Sequence, residues 1–321
     1  MNTATPRRFP LPIDQLGLLL VLAILILSFG LTTPFFLTTA TFSTIANQIP
    51  ATLLISVGMT YVLIIGGIDL SVGSILGLSG GVIGVLMTGP HPQSLLVAAL
   101  AALATGMLCG LVNGLVTVTW SIPSFVVTLG MLEIARGAAH WLTASRTAYI
   151  GTPAGALADS SLAGLSLPFY LSIASVLIGQ FVLSRTTFGR YMVAVGTNEE
   201  AVRLSGISTR PIKTAVFIIA GFLSAAGAVM DVSRSQASNP NAGTGLELDV
   251  IAAVVIGGTS LLGGRGSVIS SLLGVAIVSV LSAGLAARGV HDETKRLITG
   301  TVIIAAVILD YYRHRFTQRN Q

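Results

Sequence analysis

The chain has 321 residues, of which 53% are hydrophobic and 9% charged, with a formal net charge of +5 and a mean hydropathy of +0.87. Ordinary soluble domains carry about 25% charged residues, so a soluble enzyme, a disordered chain and a nucleic-acid-binding domain are excluded. A multi-span membrane protein remains; at about 20 apolar residues per span, the chain has room for about ten spans and their loops.

At the amino terminus, Arg7 and Arg8 precede an apolar stretch from Leu16 to Phe29. No convincing small-x-small cleavage site follows before Thr32-Thr33-Pro34, so the stretch reads as an uncleaved first span. Apolar runs place segments at about 14–30, 48–66, 70–88, 95–118, 122–140, 168–184, 213–231, 248–262, 267–285 and 296–312. The fold class expected is all-α, a polytopic membrane helix bundle of about ten spans. With the amino terminus inside, Arg185, Arg190, Arg203, Arg210, Lys213, Arg265, Arg313, Arg315 and Arg319 also fall inside. Arg146, Arg234, Arg288, Lys295 and Arg296 fall outside, a bias that fits the positive-inside rule and puts both termini in the cytoplasm. Cys109 lies in an apolar run and reads as a small buried hydrophobe.

Gly73, Gly77 and Gly81 recur at every fourth position, as do Gly106, Gly110 and Gly114. Such stripes let helix backbones approach, and both are expected to pack spans rather than bind substrate. Two stretches echo each other: Val62 to Ser74 and Val254 to Val268 each end an apolar run in Ile-Gly-Gly and then break. Matching interruptions in two halves point to a transport pathway, with two ordinary inner-surface links as the plain alternative. Either way two related halves are expected.

Asp69 sits between two apolar runs, where its carboxylate can cap the following helix or take a substrate or proton role. Glu133 and Arg136 are three apart on one face with His140; they pair, or they line a polar pathway. Asn47 and Asn113 are further pathway candidates, with helix–helix hydrogen bonds or caps as the alternative. No catalytic group set, no metal-ligand spacing and no phosphate-binding Gly-x-x-x-x-Gly-Lys motif is present, so no catalytic or metal residue is assigned.

The stretch 185–213 carries the most polar information. Asn198 is a good N-cap, Glu199 and Glu200 fill the first turn, Arg203 lies toward the other end and Gly206 is a natural stop. The resulting helix of about seven residues is marginal alone in water. With Ala201, Val202 and Leu204 it lies on the membrane face, or it docks into a cytosolic partner and receives motion from it.

The sequence resembles the permease subunits of bacterial sugar ATP-binding-cassette importers, in their ribose-type branch. The resemblance rests on Gly66-Gly67-Ile68-Asp69-Leu70-Ser71-Val72-Gly73-Ser74, Thr128-Leu129-Gly130, Gly189-Arg190 with Gly196, Asn198, Ala201 and Arg203 to Ile207, and Glu247-Leu248 with Ile251 to Leu261 and Gly263 to Ser267. It departs at Val202, where many relatives carry alanine, and at Ser270-Ser271, where glycine is common. The resemblance implies one transmembrane permease domain over 1–321, with 185–213 as the coupling loop and cytoplasmic tails at 1–13 and 313–321. It implies a bacterial inner-membrane location and a second permease subunit, identical or paralogous, set in membrane lipid. A cytosolic ATPase that uses ATP and Mg would engage Asn198, Glu199, Glu200, Ala201, Arg203, Leu204 and Gly206, and a periplasmic or extracellular sugar-binding protein would deliver solute. The chain itself is then no enzyme and needs no cofactor or nucleic acid. Competing readings are an ion-coupled secondary transporter for a small neutral solute, a passive channel and an intramembrane enzyme.

Overall fold

Where the chain is apolar on every side it makes helices that can be buried or face lipid on every side. The computed structural model describes residues 13–291, 293–295, 297–301 and 304. In chain order the elements are α1 (Ile13–Thr32), α2 (Thr39–Gln48), α3 (Pro50–Ile64), α4 (Val72–Thr88), α5 (Leu95–Trp120) and α6 (Ser124–Leu142). There follow β1 (Ala148–Tyr149), α7 (Thr152–Asp159), β2 (Ser161–Leu162), β3 (Leu165–Ser166), α8 (Leu167–Arg185) and α9 (Thr187–Leu204). The remainder comprises α10 (Thr209–Ser235), β4 (Ala237–Ser238), α11 (Leu246–Ile256) and α12 (Val268–Ala287). The fold is an all-α membrane bundle; its strands form two small antiparallel pairs, β1 with β4 and β2 with β3.

Among the described residues, five helices are long and apolar enough to cross a membrane: α1, α5, α8, α10 and α12. A sixth span forms if α2 and α3 count as one, bent by 49°. Pro50 starts α3 and has no amide to offer α2, which explains a bend there. The expected second span, 48–66, therefore begins earlier and is broken. The expected eighth span, 248–262, is corrected more deeply: α11 has only 11 residues. The expected third is a helix of 17 residues, and the fifth has the length but is not apolar enough to count among the five. The expected segment 296–312 lies largely outside the described residues, as do Arg7, Arg8 and the anchor around Tyr311.

The core centres on α3, whose Leu53, Met59, Leu63 and Ile64 are fully enclosed with Phe217 of α10 and Val254 of α11. Polar locks tie α3 outward: the Tyr61 hydroxyl donates to the Gly179 carbonyl on α8 at 2.6 Å, and Thr60 and Ser271 of α12 share a hydrogen bond of 2.8 Å. Gln180 of α8 closes the start of α12, its Oε1 accepting from the Ser267 hydroxyl and from the Val268 and Ile269 amides.

The two glycine stripes do different work. On α5, Gly106, Gly110 and Gly114 lie against the backbone of α10; a Cβ at Gly110 would collide with the Phe217 carbonyl. That is the span-to-span packing expected of them. On α4, Gly73 and Gly77 receive a turn-rich segment instead, and Gly81 lies against Thr143. A Cβ at Gly77 would lie 3.0 Å from the Ala242 carbonyl oxygen and 3.1 Å from Arg136, and one at Gly73 would strike the Gly243 carbonyl. Farther along, the Ser238 hydroxyl donates to the Gly80 carbonyl at 2.7 Å. Residues 238–243 thus run along α4 from its later half to its first turn. Of the expected eighth span, 248–262, only the part up to Ile256 is helical; the residues just before α11, 240–245, are a run of turns.

Because backbone meets backbone at Gly110, Gly110→Leu should cost about 1–3 kcal/mol or prevent folding altogether. Gly17→Ala on the open face of α1, where nothing lies within 4 Å, should be near neutral. Thermal unfolding of the detergent-solubilised chain reads the difference; equal midpoints would refute the packing assignment.

Candidate functional site

Helix α9 is two helices in one run. Asn198 has an extended backbone (φ −161°, ψ 95°), and its Oδ1 accepts the Ala201 amide at 2.9 Å, capping a short second helix. That helix closes on its own carbonyls: the Gly206 amide reaches Arg203 at 3.0 Å and the Ile207 amide reaches Val202 at 3.3 Å. Gly206 adopts the left-handed φ of +81° that such a closure uses. Val202 points inward and is buried, whereas Asn198, Glu199, Glu200, Ala201, Arg203, Leu204 and Gly206 are all exposed.

Its acids and bases are arranged, not scattered. Glu200 and Arg203 pair at 2.7 Å on the outer surface. Glu199 reaches back to α10, accepting from the Thr209 hydroxyl at 2.9 Å and from Lys213 at 3.0 Å. Partial burial pushes the Glu199 carboxyl up, but these two hydrogen bonds and the charges of Lys213 and Arg203 outweigh it, so its pKa lies below the usual carboxylate range. These residues, with Arg210, Ser124 and Gly67, line a cavity of about 800 Å³.

The stretch of α9 just before the kink at Asn198 is seated on both chain breaks. Helix α3 ends with the Gly66 amide on Leu63 and the Gly67 amide on Val62; α11 ends identically, Gly258 on Val255 and Thr259 on Val254. The echoed sequences therefore build one and the same closure. The two breaks meet, since the Gly264 amide donates to the Ile64 carbonyl at 2.8 Å. Gly196 of α9 lies on that bond: a Cβ there would collide with the Ile64 carbonyl and stand 2.5 Å from the Gly264 nitrogen.

The pathway candidates are placed otherwise than the sequence suggests. Asp69 is fully buried, and its Oδ1 accepts from the Ser71 amide at 2.9 Å and the Ser71 hydroxyl at 2.6 Å. It braces the residue that precedes α4 rather than capping the helix amides themselves, because two residues separate it from the helix start. Asn113 is also fully buried and donates to the Ser71 hydroxyl at 2.9 Å, joining α5 to the same turn. Ser124 and Thr128 of α6 hold the other side of the turn by accepting the Ile68 and Leu70 amides. Asn47 clamps the β2–β3 hairpin, donating to the Gly164 carbonyl and accepting the Ser166 amide. The expected Glu133–Arg136 pair is not an ion pair among the described residues. Arg136 turns inward and donates to the Pro240 and Ala242 carbonyls, both at 2.9 Å, while Glu133 faces out of the bundle. Both carbonyls belong to non-helical backbone, which needs donors more than a neighbouring carboxylate does.

A family described as the permease component of a branched-chain amino acid transport system matches residues 41–307. The ribose import permease of Escherichia coli K12 is 36% identical over 297 residues, covering 91% of this chain and 92% of that protein. The L-arabinose permease of Azospirillum brasilense is 35% identical over 303 residues, covering 94% and 88%. The D-allose permease of Escherichia coli K12 is 34% identical over 313 residues, covering 95% and 94%. The chain belongs to the ribose-type sugar permeases of ATP-binding-cassette importers. No solved structure matches it. It is a transport subunit rather than an enzyme, and a multi-pass inner-membrane protein.

Two groups of residues in this permease escaped sequence reasoning. One is Ser124 and Gln180, ordinary polar residues that hold the Ile68 amide and the first amides of α12 across long separations; Thr128 was flagged by its motif but not for its hold on the Leu70 amide. The other is the segment 239–249, which with Gln48, Thr52, Thr147, Asp231 and Arg234 lines a second cavity of about 610 Å³ at the opposite end of the bundle. The Ile-Gly-Gly echo is the signal that flagged the break after α11; nothing flagged the run of turns before it.

Asp69→Ala should destabilise the permease by about 1–3 kcal/mol by stranding the buried Ser71 donors, whereas Asp69→Asn, which keeps an acceptor, should lose less. Equal unfolding midpoints for the two variants would remove the bracing role. Asn198→Ala should cost the short helix about 1 kcal/mol and speed amide exchange over 199–205. The Glu199–Lys213 tie is half-exposed and contributes at most about 1 kcal/mol. Its carboxyl is held low, so this contribution is full above the unfolded-state value and is lost as pH falls through the lowered one. Exchange over 199–205 should therefore quicken on acidification in the parent and not in Glu199→Gln.

Proposed function

We propose that this permease carries a neutral monosaccharide or related polyol inward, and that a cytosolic ATPase drives it by gripping Asn198, Glu199, Glu200, Ala201, Arg203, Leu204 and Gly206. One observation carries the reading. The short helix exposes a charged surface on one side while its root at Gly196 rests on the bond between both chain breaks. A push on this helix is passed by the backbone at Gly196 and Thr197 to Ile64 at the end of α3 and to Gly263 and Gly264 in the link that leads into α12. A helix of one or two turns has little reason to be held so firmly unless force passes through it.

The end bearing α9 is then cytoplasmic, as are both termini. ATP and Mg are used by the ATPase, which works as a pair against two permease copies. The opposite end, with the β1–β4 and β2–β3 pairs, receives an external sugar-binding protein. That protein supplies recognition, so the permease itself needs little affinity, and the ATPase shifts the permease only by binding its two states differently. Sparse charge in the bundle suits a polyhydroxy solute better than an ion.

In proteoliposomes holding the permease, its ATPase and its binding protein, Glu200→Lys and Arg203→Glu should lower solute uptake per ATP hydrolysed by about tenfold, a loss of about 1.4 kcal/mol of coupling. Membrane insertion should be unchanged. Wild-type uptake in both variants would end the docking assignment.

A further inference from the structure

The cavity of about 800 Å³ beside the short helix holds more than the coupling residues. It follows α10 from Thr209 to Phe217, about 12 Å by helical rise, and reaches Thr117 of α5. Its charges do not cancel. Glu199 is paired with Lys213 at 3.0 Å and Glu200 with Arg203 at 2.7 Å. Arg210 lines the same space, is exposed, and has no hydrogen-bond or ion-pair partner among the described residues.

Two helices start at the cavity wall. Helix α6 begins at Ser124 and α10 at Thr209, and no side chain caps the first amides of either. Such amides are unpaired and form the positive end of the helix dipole, which favours an anion. A second observation comes from Thr117, which is only 6% exposed and whose hydroxyl has no partner. A threonine hydroxyl inside a helix can bond the carbonyl one turn back, as Thr105 does on the same helix at 2.9 Å. Thr117 makes no such bond, and a buried hydroxyl left open beside a cavity calls for a polar occupant. Ser121 and Ser208 add hydroxyls to the wall.

A guanidinium and uncapped helix starts are groups that hold phosphate oxygens. The space is far larger than a phosphate alone fills and falls in the range of small-molecule sites, about 300–1,000 Å³. We propose that this cavity binds the phosphate ester of a small polyhydroxy compound from the cytosol, with Arg210 and the starts of α6 and α10 taking the phosphate and Thr117 a hydroxyl. The two glutamates, already neutralised by their partners, can accept from further hydroxyls. The site goes beyond the transport reading; its cytosolic side and its consequence rest on that reading. Its wall joins the short helix, α10 and the link from α5 to α6, so an occupant ties the short helix to the bundle and slows import. An imported sugar that has been phosphorylated belongs to this class of ligand, which makes the site a brake set by supply. The phosphate of a lipid headgroup shares the chemistry, and the test separates the two.

Binding is measured by calorimetry on the full chain in phosphatidylcholine nanodiscs, with ribose-5-phosphate and ribose as probes. Ribose-5-phosphate should bind the parent more tightly than ribose does. Arg210→Gln should weaken it by about tenfold, the worth of a hydrogen bond to a charged group, and Arg210→Lys by less. Both variants should unfold at the parent's temperature, because Arg210 is exposed and unpaired. No binding to the parent, ribose binding as tightly as its phosphate, or equal affinity in Arg210→Gln would overturn the site. Phosphatidylglycerol added to the nanodiscs should leave the affinity as it was; competition from it would overturn a soluble ligand in favour of a headgroup. Uptake is then followed in proteoliposomes of the complete transporter with ATP enclosed. Enclosed ribose-5-phosphate should slow the parent more than Arg210→Gln, and external ribose-5-phosphate should slow neither. Binding without slowed uptake would overturn the brake. The calorimetry needs neither ATPase nor transport, so a failure of the transport reading leaves the binding result readable by itself.

Discussion

The bond pair from Arg136 to the Pro240 and Ala242 carbonyls sets the terms for much of this bundle. Within a bilayer every backbone polar group needs a partner inside the protein or a watery cavity. Residues 238–245 are not helical and cannot supply their own ladder. They rely on three tight turns, on the Ser238 hydroxyl and on one guanidinium with two well-placed N–H groups. The guanidinium keeps its charge wherever it sits, so these donors are permanent. The facing helix must in turn leave room for a turn-rich backbone and a large cation, and α4 does so with glycine at 73, 77 and 84. The shortness of α11 and the outward turn of Glu133 follow from the same arrangement.

At the other end of the bundle, the governing contact is between backbones. Helices α3 and α11 each close on their own last carbonyls through a left-handed glycine, Gly66 at φ +75° and Gly258 at +87°. Closed helix ends of this kind carry no protruding side chain. They can be joined by one amide, Gly264 on Ile64, and covered by a bare stretch of α9 at Gly196. A joint of this sort transmits displacement well, because close-packed backbone has little compliance. Asp69, Ser71, Asn113, Ser124 and Thr128 stiffen the adjoining turn from α5 and α6, which brings four helices into register with the short exposed one. These buried polar residues act as fixings rather than as a lining for solute.

What the sequence made legible was what depends on neighbours in the chain. Helices α5, α6, α8, α10 and α12 fall within a few residues of their apolar runs, and Asn198 and Gly206 mark the short helix because caps and stops act over three or four residues. The repeated Ile-Gly-Gly marks two closures for the same reason. What escaped reading depends on distant partners. The three-residue spacing of Glu133 and Arg136 argues for a pair only if no better acceptor competes, and the competing carbonyls lie 104 and 106 residues away. Asn47 meets its partners 117 and 119 residues on, so a clamp looks like a stray polar residue. Hydropathy fails at the eighth segment for a different reason: its apolar run continues past Ile256, where the helix closes, and the polar, glycine-rich turns before Leu246 read as a plain loop.

The division of polar residues into sealed and open ones bears on how a carrier of uncharged solute can work with so little charge. The sealed group uses hydrogen bonds to hold helices as rigid bodies, and burial closes it off from a passing hydroxyl. The open group, Glu133, Asn241 and Thr244, is exposed. Weak holding is what such a carrier requires, because binding the solute tightly in either state would oppose its release.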